Sequence, residues 1–359
     1  MDKELYRKLA RRLDAIPNGF PASESGVELR LLAKIFTAEE AILASVMRLT
    51  PEPSDVIAGW AGIEMHEAKR MLKGMVRKGL IRIQRGEGHL LFGLRPFIVG
   101  IYEEQLRRMD EDFARLFEEY YREVFKDVFL YGPSVHRVIP VDKAIPFELE
   151  IFPYERAIEL LEGAKSWGVR DCICRVQQRF VGRACDHEIE NCLLFAPVEN
   201  AFNNSELTRP IAKEDSLRIL GEAAQAGLVH CTANHRSPLN YICNCCTCCC
   251  GVMRGLAEFG MPAAVARSDF YASVDSELCA ACGSCIERCP FGALSVSEDV
   301  CVVDRARCMG CGLCVSACST GAACLQRRSE GEVPATPKDI PTWMTLRAEN
   351  RGILMSAIE

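Results

Sequence analysis

Twenty-one cysteines in a chain of 359 residues are the side chains whose type and spacing can do chemistry. None precedes Cys172, and ten fall between Cys279 and Cys324, a clustering that scattered core thiols would not produce. Near the end of the chain CAACGSCIERCP places Cys279, Cys282, Cys285 and Cys289 in the order C-x2-C-x2-C-x3-C-P. CMGCGLCVSAC repeats the spacing with Cys308, Cys311, Cys314 and Cys318. Three cysteines two residues apart can turn their sulfurs around one iron-sulfur cube, while the fourth points at the neighbouring cube. The spacing therefore predicts two 4Fe-4S clusters, one on Cys279, Cys282, Cys285 and Cys318 and one on Cys308, Cys311, Cys314 and Cys289. Two runs of equal spacing, small residues between the thiols and Pro290 after the first argue against a zinc knuckle. Gly283, Gly310 and Gly312 suit loops whose amides approach cluster sulfides. Cys301 and Cys324 lie outside the pattern and read as buried thiols beside the clusters.

A second cysteine region lies upstream. DCICRVQQRFVGRACDHEIENC carries Cys172, Cys174, Cys185 and Cys192, and YICNCCTCCCG carries Cys243, Cys245, Cys246, Cys248, Cys249 and Cys250. The first four supply enough soft ligands for a third metal centre, an iron-sulfur cluster or a zinc ion. Consecutive cysteines cannot all face one metal, so only a subset of the second group can ligate a further cluster. Cys243 with Cys246 and Cys250 is the first grouping to consider, and a non-cubane cluster is an alternative. Asn244, His187 and His235 are alternative ligands.

The elements that position these residues read as an α+β multidomain chain. Residues 4 to 16 form an amphipathic helix pattern, Thr37 and Glu40 spell a capping box before AEEAILASVMRL, and a short helix follows Ser54. A third helix over about 64 to 78 has Met71, Met75 and Val76 on its apolar side and runs into IRIQR, the turn GEG and HLLFGL. Helices followed by a hairpin predict a winged helix-turn-helix over 1–98. Seven basic residues and no acid between Lys69 and Arg85 fall on its recognition helix and wing, where DNA contacts would lie; a docking domain is the alternative.

From Ile101, Leu106, Met109, Phe113, Leu116, Tyr120 and Val124 repeat at intervals of three and four, which predicts a long connecting helix within 99–135. Its stripe over 101–126 can serve a homodimer or pack on the chain itself. A proline-punctuated segment (Pro133, Pro140, Pro146, Pro153) leads to a cysteine-rich helical domain over 136–268, with ERAIELLEGAKS and SLRILGEAAQAGLVH as helices. A two-cluster ferredoxin domain over 269–326 and a weakly structured tail over 327–359 complete the expectation. The start lacks an export leader and no apolar run spans a bilayer, which leads us to expect a cytoplasmic protein.

The C-terminal runs, with FGALSVSEDVCVVD as the hairpin between them, resemble bacterial two-cluster ferredoxins; Ser319 stands where the second repeat usually carries proline. The wider order of winged helix, VIPVDKAIPFELEIFPYERA, DCICR, CDHEIENCL, ICNCCTCCCG and PAAVARSDFYASVD before the ferredoxin repeat resembles a family of anaerobe proteins described as 4Fe-4S ferredoxin-domain proteins. That resemblance runs over about residues 28 to 325 and implies cofactor class and anaerobic setting, not a substrate. Six acids and three arginines give residues 270–325 a net charge of −3, suited to basic redox partners. The leading expectation is an electron carrier between a donor and an acceptor protein or complex. A redox-sensing winged-helix regulator is the second. An oxidoreductase subunit with an active upstream cluster is the third, although the chain has no GxGxxG and no C-x3-C-x2-C.

Overall fold

The structure, a computed structural model, describes residues 3–141, 144 and 153–354. The chain forms two compact units, one of Met1–Gly132, Val176–Ala184 and Met344–Glu359, the other of Pro133–Arg175 and Cys185–Trp343. No helix among the described residues is long and apolar enough to cross a membrane.

In the first unit the expected helices form at Lys3–Asp14, Ala38–Val46, Ser54–Ala61 and Met65–Arg77. The capping box is complete: Thr37 Oγ1 accepts from Glu40 N at 3.3 Å, and Glu40 Oε2 accepts from Thr37 N at 3.0 Å. A further helix, Val27–Ile35, carries no capping signal, because its N-cap is Gly26 at φ 70. Met65–Arg77 buries Ala68, Leu72 and Met75, while Met71 and Val76 are half covered, so its inward face is rotated from the expected stripe. Strands Ile81–Arg85 and Leu90–Leu94 pair antiparallel around the glycine turn, and Leu90–Leu94 also pairs with Glu52–Pro53.

The single helix expected from Ile101 does not form. Glu103–Arg108 is a 3-10 turn, and Asp110 then starts a new helix, Glu111–Glu123, by accepting from Phe113 N at 2.8 Å. A capping aspartate satisfies a free N–H at this point and fixes a new start where the spacing alone predicted continuity. Phe113, Phe117 and Tyr120 are buried in the unit's own aromatic core. Phe117 stacks on Tyr102 at 4.1 Å between ring centres, and Tyr120 lies 5.0 Å from Phe20. That stripe is therefore covered by its own chain.

The expected weak tail is also corrected, since Ile340–Asn350 is a helix. Arg347 is fully buried, with Nε donating to Pro17 O at 2.9 Å, Nη2 to Val128 O at 2.6 Å and Nη1 to Tyr131 O. Hydrophobic periodicity does not reveal a segment held largely by polar side chains such as Arg347.

The middle region is not the helical domain the sequence suggested. Seven strands make one sheet in the order Val265–Ala266, His136–Val138, Val229–Ala233, Tyr241–Cys245, Glu190–Ala196, Ser166–Asp171, Arg209–Ile211. The first pair is parallel and the others antiparallel. Both expected helices form, at Ala157–Glu162 and Lys213–Gln225, and they cover one face of the sheet. Ala157, Leu161, Ile219 and Leu220 pack there on Val169, Leu193, Phe195 and Ile242. Residues 142–143 and 145–152, Pro146 and most of KAIPFELEI included, lie outside the described residues.

The last part of this unit is a doubled motif. Each cysteine run ends in a short helix, Ser284–Glu287 or Leu313–Ser316; Leu294–Ser297 pairs with Val300–Val303, and Phe270–Val274 pairs with Ala323–Arg327.

Replacing Arg347 by alanine strips three carbonyls of their donor, two of them in fully buried hydrogen bonds. We expect a loss of about 3 kcal/mol in denaturant unfolding, as a lower midpoint at unchanged slope. Arg347→Lys should recover only part of it, because one ammonium cannot reproduce the guanidinium fork.

Candidate metal centres

Strand alternation places the upstream thiols. In Tyr241–Cys245, Ile242 faces the helix-covered core, so Cys243 and Cys245 face the other side. Cys243 pairs with Cys231 and Cys245 with Val229 across the adjacent strand. Leu193 pairs with Ile242, which puts Cys192 on the same face as Cys243. Cys172 follows Ser166–Asp171, Cys174 lies in the first turn of Ile173–Phe180, and Cys250 caps Gly251–Ala257.

Six of these thiols close a ring of hydrogen-bonding contacts: Cys172 to Cys174, Cys174 to Cys250, Cys250 to Cys245, Cys245 to Cys243, Cys243 to Cys192, and Cys192 back to Cys172. Hydrogen bonds from Cys174 and Cys192 hold the Cys172 thiol well below its ordinary range and push their own well above it. Cys231, buried and raised by that burial, attaches to the ring through Cys245.

Asn244, weighed above as a ligand, points the other way. Its Oδ1 meets His230 Nδ1 at 2.7 Å, and its Nδ2 donates to Asn191 O at 2.7 Å. Arg175 braces the same place, donating to Asn191 Oδ1 at 2.7 Å and Asn244 O at 2.9 Å. Burial disfavours the Arg175 charge, but Cys172 and Cys246 beside it outweigh that and raise its pKa.

Cys185, which sequence order groups with Cys172, Cys174 and Cys192, is not part of their ring of contacts. Its sulfur joins those of Cys246, Cys248 and Cys249, all four within 4.8 Å of one another. Neither His187 nor His235 belongs to this group. The first grouping of Cys243, Cys246 and Cys250 is thus divided, with Cys246 in the compact set and the other two in the ring. The misassignment has a local cause. Cysteines near in sequence alternate between directions on a strand and a tight turn, and only the pairing of distant strands decides which meet.

In the C-terminal runs the backbone is arranged around sulfur. Cys301 N donates to Cys279 Sγ, Ala293 N to Cys289 Sγ, Ala272 N to Cys308 Sγ and Ala323 N to Cys318 Sγ, each at 3.4 Å. Burial, then the charges of Cys308, Cys289 and Cys285, push the Cys314 thiol up to about 12. The charges of Cys289 and Cys285 of the first run thus reach Cys314 of the second, and that of Cys318 reaches the exposed Cys282 of the first. Cys301 is a buried thiol 3.4 Å from Cys285. Gly310, at φ 70, lies so close to the Phe270 carbonyl that a Cβ would overlap it. Arg328 locks the same loop, donating to Cys308 O at 2.7 Å and Phe270 O at 3.0 Å. Soft donors, amides aimed at sulfur and glycine at the tightest approach fit iron-sulfur clusters.

A family model described as a 4Fe-4S binding domain matches residues 272–295 and 301–323. This is a ferredoxin-type 4Fe-4S binding region. Comparison with curated proteins and with solved structures found no match. The ferredoxin-type region implies iron-sulfur electron transfer and redox partners in general terms.

Gly310→Ala is expected to lower the iron bound by the anaerobically purified chain, because a Cβ must displace the Phe270 carbonyl and with it the second cysteine loop. Gly59→Ala, where a Cβ meets nothing within 4 Å, should leave the iron content unchanged in the same colorimetric assay.

Proposed function

We propose that this chain is an electron-transfer protein that passes single low-potential electrons between redox partners in an anaerobe. The observation that carries the reading is a succession of sulfur sites inside one unit. Cys282 is exposed, Cys285 contacts the buried Cys301, and the charge of Cys314 reaches Cys301. Cys231 is raised chiefly by burial, with Cys311 adding to it, and hydrogen-bonds Cys245 of the six-thiol ring. On this reading Cys279, Cys282, Cys285 and Cys318 hold one 4Fe-4S cluster, and Cys308, Cys311, Cys314 and Cys289 a second. The six-thiol ring holds a further cluster.

A 4Fe-4S cluster takes up and releases one electron without bond rearrangement in a substrate. The residues around it then have three tasks. The four backbone amides at Cys279, Cys289, Cys308 and Cys318 donate to sulfur and set the potential; Phe270, Phe291 and Leu313 are buried nearby and limit water. Arg288 Nη2 ties the first run to the end of Lys213–Gln225 by donating to Ala224 O at 2.8 Å. No general acid or base is required. The acidic C-terminal module offers a docking surface to a basic partner.

A redox-responsive DNA-binding protein is the second reading, favoured by the first unit alone. Its helices and the sheet of Glu52–Pro53, Leu90–Leu94 and Ile81–Arg85 follow the order of a winged helix. Lys69, Arg70, Lys73, Arg77 and Arg85 are exposed on the Met65–Arg77 helix and the hairpin. Lys78 and Arg82 are occupied, the first by Glu40 at 2.6 Å and the second by Leu49 O. Five basic side chains suffice for a salt-dependent phosphate footprint.

An anaerobic redox titration followed by EPR should give at least two reducible 4Fe-4S signals; a chain that binds iron but shows none overturns the carrier reading. In a gel-shift assay on the DNA upstream of its own gene, the carrier binds equally weakly in both redox states. Binding that changes with cluster oxidation, and that falls steeply from 50 to 200 mM salt, would establish the regulator instead.

A further inference from the structure

Four thiols from two distant stretches of chain meet in a space that suits one metal ion. The sulfurs of Cys185, Cys246, Cys248 and Cys249 all lie within 4.8 Å of one another, and those of Cys185 and Cys249 are 3.4 Å apart. A tetrahedral ion bound at about 2.3 Å sets its four cysteine sulfurs roughly 3.8 Å apart. A cubane encloses iron and sulfide inside its ligand shell and spreads the same four sulfurs to roughly 6 Å. The eight cysteines of the ferredoxin-type runs serve as an internal comparison. They have the cubane spacing in sequence, and no three of them form a group this tight among the described residues. The six thiols of the ring form none either.

Packing does not account for the arrangement. Cys246 and Cys249 are buried against Ala223 and Leu228 with Cys185 beside them, yet Cys248 is exposed and still brings its sulfur to the common point. The local chain explains how. Cys246 to Cys249 form the tight turn after Tyr241–Cys245, closed by Cys250 N donating to Cys246 O at 3.2 Å, and the turn points three sulfurs one way. Cys185, where the chain returns to the second unit, supplies the fourth from 61 residues upstream of Cys246.

We propose that Cys185, Cys246, Cys248 and Cys249 bind a single divalent ion, zinc or iron, in a closed tetrahedral thiolate site separate from the iron-sulfur clusters. All four positions come from protein, as in structural sites, so the ion staples the loop bearing Cys185 to the turn after Tyr241–Cys245. Zinc and mononuclear iron share this coordination chemistry and differ only in redox activity.

The test uses the full-length chain purified anaerobically. Metal analysis with zinc-edge X-ray absorption should find about one zinc per chain with four sulfurs at about 2.3 Å and no iron neighbour. If iron occupies the site, Mössbauer spectra of iron-57-labelled protein should contain a mononuclear tetrathiolate iron component beside the cluster components. Cys248→Ser, at an exposed position, should abolish that signature and leave the EPR signals of the ferredoxin-type clusters intact. Cys324→Ser, outside both thiol groups, should retain everything. Two results overturn the proposal. One is a chain lacking both signatures whose Cys248→Ser variant loses about four irons, which would make the site a cubane. The other is a chain in which these four thiols carry no metal and react freely with a thiol reagent.

Discussion

Converging buried thiols repel one another as anions, and the second unit is organised around that constraint. Within the six-thiol ring Cys172 is held as the favoured thiolate, and its neighbours Cys174 and Cys192 pay with a raised pKa. The compact group repeats the pattern, with Cys246 lowered by hydrogen bonds from Cys248 and Cys249 while the Cys248 thiol is pushed up to about 12. In each group one thiol is thus favoured as the anion while its hydrogen-bonded neighbours are favoured as thiols. Metal charge at the centre removes that division, since every ligand can then ionise together. Arg175 is a cation that stands beside both groups, next to Cys172 of one and Cys246 of the other.

The seven-stranded sheet is what separates this chemistry from the hydrophobic core. Period-two alternation gives one face to Val169, Leu193, Phe195 and Ile242, under the helices Ala157–Glu162 and Lys213–Gln225, and the other to Cys192, Cys231, Cys243 and Cys245. A one-residue slip in the central strand would send Ile242 toward the thiols and the cysteines into the core. The polar bonds guard against such a slip. His230, Asn244, Asn191 and Arg175 form a buried chain in which each bond needs the present register, so the register that aligns the sulfurs also makes these four hydrogen bonds.

Legibility in the sequence followed the range of the interactions. The C-terminal runs were readable because cluster ligands three and four residues apart lie in one loop, and the capping box at Thr37 because both partners are three residues apart. The upstream grouping was not readable, because Cys185 meets Cys249 across 64 residues and the pairing passes through a sheet that had been read as helices. YICNC held the missing clue: Ile242 and Cys243 differ in face, so an alternating strand sorts the cysteines where a helical reading cannot. The helix expected from Ile101 failed for the opposite reason, a local cap at Asp110 overriding a long repeat. Ile340–Asn350 was hidden because Arg347, a charged residue, does the work of a core side chain.

On the proposed ligand sets the two ferredoxin-type sites are alike in chemistry and unlike in setting. Each receives two backbone N–H bonds to sulfur, at Cys279 and Cys318 in one and at Cys308 and Cys289 in the other, so hydrogen bonding does not distinguish them. Solvent does. Cys282 is exposed and Cys279 and Cys318 are half-buried, whereas Cys308, Cys311 and Cys314 are all buried. Adding an electron makes a cluster more anionic, and a site closed to water stabilises that charge less. The outer site is then the lower resting place for an electron, and the inner one, next to Cys231 and the thiol ring, is a step uphill. On the proposed carrier reading, an electron would then move inward only where a site beyond the inner one accepts it.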